Sequence, residues 1–289
     1  MKEITVISGK GGTGKTTFTA NLASLLKNIV IGDCDVDAPN LHLLLNPANK
    51  TEEIYRGAKI ALKNDKLCVD CGKCYQNCRF NAITEDDYEV KELKCEGCGV
   101  CVEVCPTGAL KLIEIESGSL YTAESKYGDM IHAKLIPGAD TSGRLVSEVK
   151  KKASKRAEEI NAEWILIDGS PGIGCPVIAS LTGTDLAILV TEPTLSGLAD
   201  LKRIIEVVEH FKIAAGLVIN KYDLNPDISN KIEEYCKKRN IHLLTKIPYS
   251  RVIVESLKNG ELFVNNSEKL KNKMLEVKEK LIKNLEVDA

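Results

Sequence analysis

The chain has 289 residues, enough for one sizeable domain with a well-buried core and a smaller companion. Lysine and arginine number 39 against 41 aspartate and glutamate, a net charge of -2, so no global basic field points to nucleic acid or anionic lipid as partner. No run reaches the roughly 18 apolar residues of a membrane span, and the opening "MKEITVIS" lacks the basic and apolar regions of an export signal, which predicts a cytoplasmic protein.

The first predicted strand is "ITVISG" (Ile4–Gly9), and it runs through a glycine-rich loop into "KTTFTANLASLLKN", where Phe18, Leu22, Leu25 and Leu26 recur at helical spacing. The loop consists of Gly9, Lys10, Gly11, Gly12, Thr13, Gly14, Lys15, Thr16 and Thr17, and it fits G-x-x-x-x-G-K-[ST]. Strand, loop and helix in that order aim backbone N–H groups and a helix N-terminus at phosphate oxygens. Lys15 neutralises phosphate charge, and the Thr16 hydroxyl suits Mg²⁺. Lys10 is not demanded by this pattern, and its plain reading is a solvated loop charge.

A second apolar run, "IVIGD" (Ile29–Asp33), opens into "DCDVDAPN", whose aspartates suit either strand-end turns or ligand chemistry. From about Ala61 to Glu114 the chain is cysteine-rich instead. Eleven cysteines without an export signal point to metal or redox chemistry rather than disulfides. Cys68, Cys71, Cys74 and Cys78 follow C-x2-C-x2-C-x3-C and recur 27 residues later as Cys95, Cys98, Cys101 and Cys105, with "CRFNAI" echoed by "CPTGAL". This is the bacterial ferredoxin run for [4Fe–4S] clusters, in which the fourth cysteine serves the other cluster. That pattern assigns Cys68, Cys71, Cys74 and Cys105 to one cluster and Cys78, Cys95, Cys98 and Cys101 to the other; zinc is the alternative. Arg79 stands where the run ordinarily has proline, and its charge would raise the potential of a nearby cluster.

The apolar runs resume at "WILID" (Trp164–Asp168), "LAILVT" (Leu186–Thr191), "GLVIN" (Gly216–Asn220) and "HLLTKIP" (His242–Pro248), with helical patterns between them. Continuous apolar strands alternating with helices predict an α/β fold, a mostly parallel sheet with helices on both faces. The expected division is 1–60 and 115–289 for this nucleotide domain and 61–114 for a small inserted ferredoxin-like α+β domain. Asp168 closes its strand, which puts its carboxylate at the carboxyl edge of the sheet, able to hold Mg²⁺ directly or through water. In the last helix, Leu270, Met274, Val277 and Leu281 form one apolar face, expected to pack on its own domain rather than on a membrane. Cys34, Cys175 and Cys236 lie outside the repeat and read as buried free cysteines.

"KGGTGKTT", "DCDVDAPN" and "IDGSPGIG" resemble the deviant Walker A, switch I and switch II of the MinD, ParA, Mrp and nitrogenase-iron-protein superfamily. The resemblance implies an ATP-sandwiched homodimer in which Lys10 reaches the phosphates of the partner copy. It also implies that Asp35 orients the attacking water, with Asp37 the alternative, and that the Gly172 N–H meets the γ-phosphate. Asn220 of "INKYDLN" would read adenine, although N-K-x-D reads guanine in GTPases and keeps GTP as the alternative; "IPYSR" would cover the base. The implied function is ATP hydrolysis coupled to electron transfer through two clusters toward a partner protein or metallocofactor. The alternatives are an Mrp-like carrier of metal centres and, third, a positioning ATPase that meets a membrane or DNA.

Overall fold

The computed structural model describes residues 1–139 and 141–287. In chain order, β1 (Lys2–Ser8), α1 (Lys15–Ala23), β2 (Ile29–Asp33) and α2 (Leu41–Leu45) lead to β3 (Ala48–Tyr55) and β4 (Ala58–Lys63). Two short helices, α3 (Lys73–Gln76) and α4 (Val100–Glu103), precede β5 (Leu110–Ile115), β6 (Gly118–Ser125) and β7 (Gly128–Leu135). Regular alternation then follows with α5 (Ser142–Glu159), β8 (Trp164–Pro171), α6 (Cys175–Leu181), β9 (Leu186–Thr191), α7 (Leu195–His210) and β10 (Ala214–Asn220). The remaining elements are α8 (Pro226–Lys238), β11 (His242–Ile247), α9 (Arg251–Lys258), α10 (Phe263–Asn266) and α11 (Glu268–Val287).

These elements form two compact units. The larger comprises Met1–Glu53, Leu120–Lys134 and Ser142–Ala289, and the smaller comprises Ile54–Ser119 and Leu135–Thr141.

The larger unit is built on a nine-stranded sheet in the order β11-β10-β9-β1-β8-β2-β7-β6-β3, and the pairs from β11 to β7 are all parallel. Side chains alternate across it. Ile4 and Val6 of β1 pack on one face with Phe18 and Leu22 of α1 and with Met274, Val277 and Leu281 of α11. Ile7 points to the other face, where Leu201, Ile204 and Ile205 of α7 meet Ile232 of α8. Burial on both faces is why these strands are continuous apolar runs. The apolar face of α11 is fully inside its own unit, with Met274, Val277 and Leu281 at 0% exposure. The six apolar runs read from the sequence are β1, β2 and β8 to β11. The sheet also holds β3, β6 and β7, which those runs did not announce: β3, "ANKTEEIY", is exposed along almost its whole length, and β6, "GSLYTAES", and β7, "GDMIHAKL", mix polar residues among their buried ones.

In the smaller unit, β4 and β5 pair antiparallel from Ala58↔Ile115 to Lys63↔Leu110. Gly72 and Gly99 stand before α3 and α4 with φ of 69° and 81°, a left-handed conformation that lets the chain turn from a cysteine run into a helix without a Cβ clash. The core is small: Ala61, Ile83 and Leu110 with the thiols of Cys74 and Cys101.

Candidate functional site

Parallel β1, β2, β8, β9 and β10 bring Ser8, Asp33, Asp168, Thr191 and Asn220 to one carboxyl edge, where open α/β sheets bind their ligands. A cleft of about 430 Å³ lies there, lined by the phosphate-loop residues Gly11, Gly12, Gly14, Lys15, Thr16 and Thr17. Asp35 and Asn220 also line it, and Ile247, Pro248, Tyr249, Ile253, Val254 and Phe263 supply an apolar wall at the end where a base would lie.

Inside the loop Gly14 has φ 90°, and a Cβ there would come within 2.4 Å of the Asn220 Nδ2, so glycine is required by conformation and by contact. Asn220 donates from Nδ2 to the Thr13 carbonyl at 2.8 Å, and its Oδ1 accepts from the Lys221 N–H at 3.0 Å. Its amide therefore ties β10 to the phosphate loop at the cleft wall. The loop covering the apolar end is anchored too, because the Tyr249 N–H donates to Asp223 Oδ1 at 2.7 Å.

Lys15 and Asp168 form an ion pair at 2.7 Å in which Asp168 is fully buried. Asp168 also accepts from the hydroxyls of Thr16 at 2.6 Å and Thr19 at 3.0 Å. Burial works against the Lys15 ammonium, yet the Asp168 carboxylate outweighs it and holds the lysine above its ordinary range. Beside the pair sits Asp33, whose two oxygens accept from the N–H groups of Asp35 at 3.1 Å and Leu41 at 3.2 Å, which clamps both ends of the switch I loop. Burial first, and the Asp168 charge second, push the Asp33 carboxyl up to about 7. Asp35 is half-buried and raised by burial, while Asp37 is exposed.

Across the loop, Lys10 pairs with Glu192 Oε1 at 2.7 Å and donates to Ser196 Oγ at 3.1 Å. Gly172, with φ 94°, donates its N–H to the Ser8 carbonyl at 2.9 Å rather than leaving it free over the cleft. Ser170 Oγ donates to the Cys34 carbonyl, joining the two switch segments. Asp33, Thr19 and Glu192 were not singled out from the sequence. Asp33 and Glu192 stand at the ends of apolar strands, which is the signal that finds Asp168. Of the extra cysteines, Cys34 and Cys236 are buried, but Cys175 is exposed, contrary to expectation: it is the first residue of α6, straight after the switch II turn.

The smaller unit holds the cysteine repeat, and its two halves interlock. One cavity is lined by Cys68, Cys71, Cys74 and Cys105, and a second by Cys78, Cys95, Cys98 and Cys101. Each cavity thus takes three cysteines from one half of the repeat and one from the other. Backbone N–H groups point at the thiols in matching positions of the two halves: Ala82 to Cys78 Sγ at 3.4 Å and Ala109 to Cys105 Sγ at 3.2 Å. Ala61 donates likewise to Cys95 Sγ at 3.4 Å. Among the described residues, no three His, Cys, Asp or Glu side chains close on one point as a single metal ion requires.

Residues 4–263 match the model of the CobQ/CobB/MinD/ParA nucleotide binding domain. The chain belongs to that family. An uncharacterised protein of Methanocaldococcus jannaschii is 35% identical over 286 residues, which is 97% of this chain and 96% of the relative. The septum site-determining protein MinD from Pyrococcus horikoshii, solved in complex with Mg-ADP, superposes with a TM-score of 0.59 at 20% identity, covering 100% of this chain and 98% of that one, a likeness of fold. A putative electron transport protein, YccM of Escherichia coli, is 38% identical over 47 residues, 16% of this chain and 13% of its own length.

Proposed function

We propose that this family member is an ATP-hydrolysing iron–sulfur protein, acting as a nucleotide-dependent dimer that couples hydrolysis to electron transfer through two [4Fe–4S] clusters to a partner protein or metallocofactor. The observation that carries the reading is the interlocked four-and-four gathering of thiols in a chain whose other unit is a nucleotide-binding domain. Two C-x2-C-x2-C-x3-C runs, each lending its fourth cysteine to the cavity of the other, favour a pair of [4Fe–4S] clusters over zinc. Clusters held there would supply one-electron storage, tuned by the N–H groups directed at Cys78, Cys95 and Cys105.

At the cleft, Thr16 and Asp168 are the residues to hold Mg²⁺, which would neutralise charge on the β- and γ-phosphates. With phosphates present, Lys15 exchanges its pairing with Asp168 for phosphate oxygens, and Asp168 is freed for the metal. Asp35 lines the cleft whereas Asp37 faces solvent, which supports Asp35 as the group that orients the attacking water. Burial raises its carboxyl above the ordinary range. For the Gly172 N–H to meet a γ-phosphate it has to leave the Ser8 carbonyl, so switch II rearrangement is part of this reading.

A second reading is favoured by the fold likeness to MinD: ATP-controlled positioning of the chain on a membrane or another surface. The helix read from the sequence as its candidate contact, α11, buries its apolar face. A third, delivery of clusters to an acceptor, shares all the residues above. Anaerobic reconstitution, with iron and sulfide quantified beside MgATP hydrolysis, tests the proposal. Eight iron and eight sulfide per chain, with ATP turnover lost in Lys15→Ala, is expected. Zinc in place of iron, or binding to liposomes only with MgATP, overturns it in favour of the alternatives.

A further inference from the structure

Glu192 directly follows β9 at the sheet edge that carries the nucleotide cleft. Its two oxygens are divided between two lysines: Oε1 takes Lys10 at 2.7 Å and Oε2 takes Lys221 at 3.3 Å. The carboxylate is only 17% exposed. Thr194 Oγ1 at 3.5 Å and Ser196 Oγ at 3.1 Å complete the seat around the Lys10 ammonium. Lys221 is held at φ 52°, a left-handed backbone that a lysine adopts at a cost, and it follows Asn220 in the cleft wall. Burial alone would raise the Glu192 carboxyl, but hydrogen bonds from Lys10 and Lys221 carry it below its usual range, so both pairings are electrostatically favourable.

We infer that Glu192 is a positioning residue that retains Lys10 on its own chain, and that its second contact, Lys221, links this restraint to the base end of the cleft. The inference rests on the proposed dimer, in which Lys10 has to reach the partner copy's phosphates. One ammonium cannot occupy both seats, so every dimer that forms must first break the Lys10–Glu192 pair. The restraint thus raises the protein concentration at which the dimer assembles. A chain without nucleotide keeps its reaching lysine occupied.

The test uses the full chain and two readouts. In the absence of nucleotide, Lys10 acylation by an amine-reactive ester is read by peptide mass spectrometry, with the remaining lysines as internal reference. Light scattering across a concentration series with a non-hydrolysable MgATP analogue gives the dimer midpoint. Glu192→Gln keeps the shape and removes the charge; Lys10 labelling should rise about fivefold and the dimer midpoint fall by about the same factor. Ser196→Ala should move both in the same direction by less. A residue that merely supported the fold would weaken the dimer, not strengthen it, so the direction separates restraint from scaffolding. Unchanged Lys10 labelling in Glu192→Gln overturns the pairing, and a dimer midpoint that stays or rises while labelling increases overturns the restraint. A wild-type chain that remains monomeric with the analogue at every concentration, with labelling still raised in the variant, overturns the dimer reading itself and the restraint with it.

Discussion

The two units hold their reactive groups in opposite ways. At the nucleotide cleft the two loop lysines pair with carboxylates from distant parts of the chain, Lys15 with Asp168 and Lys10 with Glu192, and Asp33 is held by the nearby backbone of Asp35 and Leu41. Those groups stand on ends of strands locked into a nine-stranded sheet, so the cleft is shaped before any ligand arrives. In the cysteine unit the reactive groups are part of the core itself: Cys74 and Cys101 are buried with Ala61, Ile83 and Leu110, and Cys78, Cys95 and Cys105 pack against them with Tyr88, Val90 and Val102. One region is a finished scaffold that a ligand re-pairs. On the proposed iron–sulfur reading, the other is a scaffold that its ligand would complete.

On the same iron–sulfur reading, the largest effect should come from stripping iron. A core in which five thiols stand among a few apolar side chains is too small to offset the ordering of a segment this long, so the iron-free smaller unit should lose amide protection from about Cys68 to Leu110, while β1, β8 and β9 keep theirs. Hydrogen exchange followed by mass spectrometry reads both regions in one experiment. Equal protection with and without iron would abolish the contrast.

Next in size is the Lys15–Asp168 pair. Asp168→Ala leaves a buried ammonium without its partner and should destabilise the nucleotide-free chain by about 3 kcal/mol in urea unfolding. A saturating MgATP analogue should restore part of that loss, because phosphate oxygens replace the carboxylate. A pre-paired cleft predicts this partial rescue, and a loss unaffected by nucleotide would contradict it.

A smaller effect, in pH, sharpens the same contrast within the larger unit. His132 is buried in a stack between Tyr121 at 4.9 Å and His42 at 5.3 Å, and burial, aided by the His42 charge, lowers it to about 4. The unfolded chain binds the proton near pH 6.5 and the folded one does not, so stability is lost as pH falls below 6.5 and continues to fall toward 4. The His132 part of the loss should reach roughly 2 kcal/mol between pH 7 and pH 5; because the Asp33 carboxyl, raised to about 7, contributes in the opposite sense over that range, it is read as the difference between wild type and His132→Phe, which keeps the stack. Thermal unfolding across that range checks it. The smallest effect is expected at the exposed Asp37: Asp37→Asn should leave turnover within about twofold, whereas Asp35→Asn should lower kcat by about 100-fold or more.

The sheet was legible wherever burial on both faces writes a continuous apolar run, as in β1, β2 and β8 to β11. It was illegible in β3, where the solvated "ANKTEEIY" has neither a continuous nor an alternating apolar pattern, and in β6 and β7, where "GSLYTAES" and "GDMIHAKL" break the apolar residues with polar ones. The phosphate loop and the cysteine repeat were readable for a related reason, since their chemistry is local and spacing alone encodes it. The Lys10–Glu192 pair joins residues 182 apart in number, and no spacing rule connects them. Cys175 shows the same limit from the other side: its composition class predicts burial, and its place after the switch II turn leaves it exposed.

The most direct test of coupling between the two units is an anaerobic redox titration of the iron-loaded protein, followed by EPR, first with MgADP and then with a non-hydrolysable MgATP analogue. Binding and reduction are linked reciprocally, so a one-electron potential shift of about 59 mV corresponds to a tenfold difference in nucleotide affinity between redox states. A nucleotide-dependent shift of that order is the predicted result. Clusters that assemble but titrate at the same potential with either nucleotide would contradict an ATP-gated electron relay.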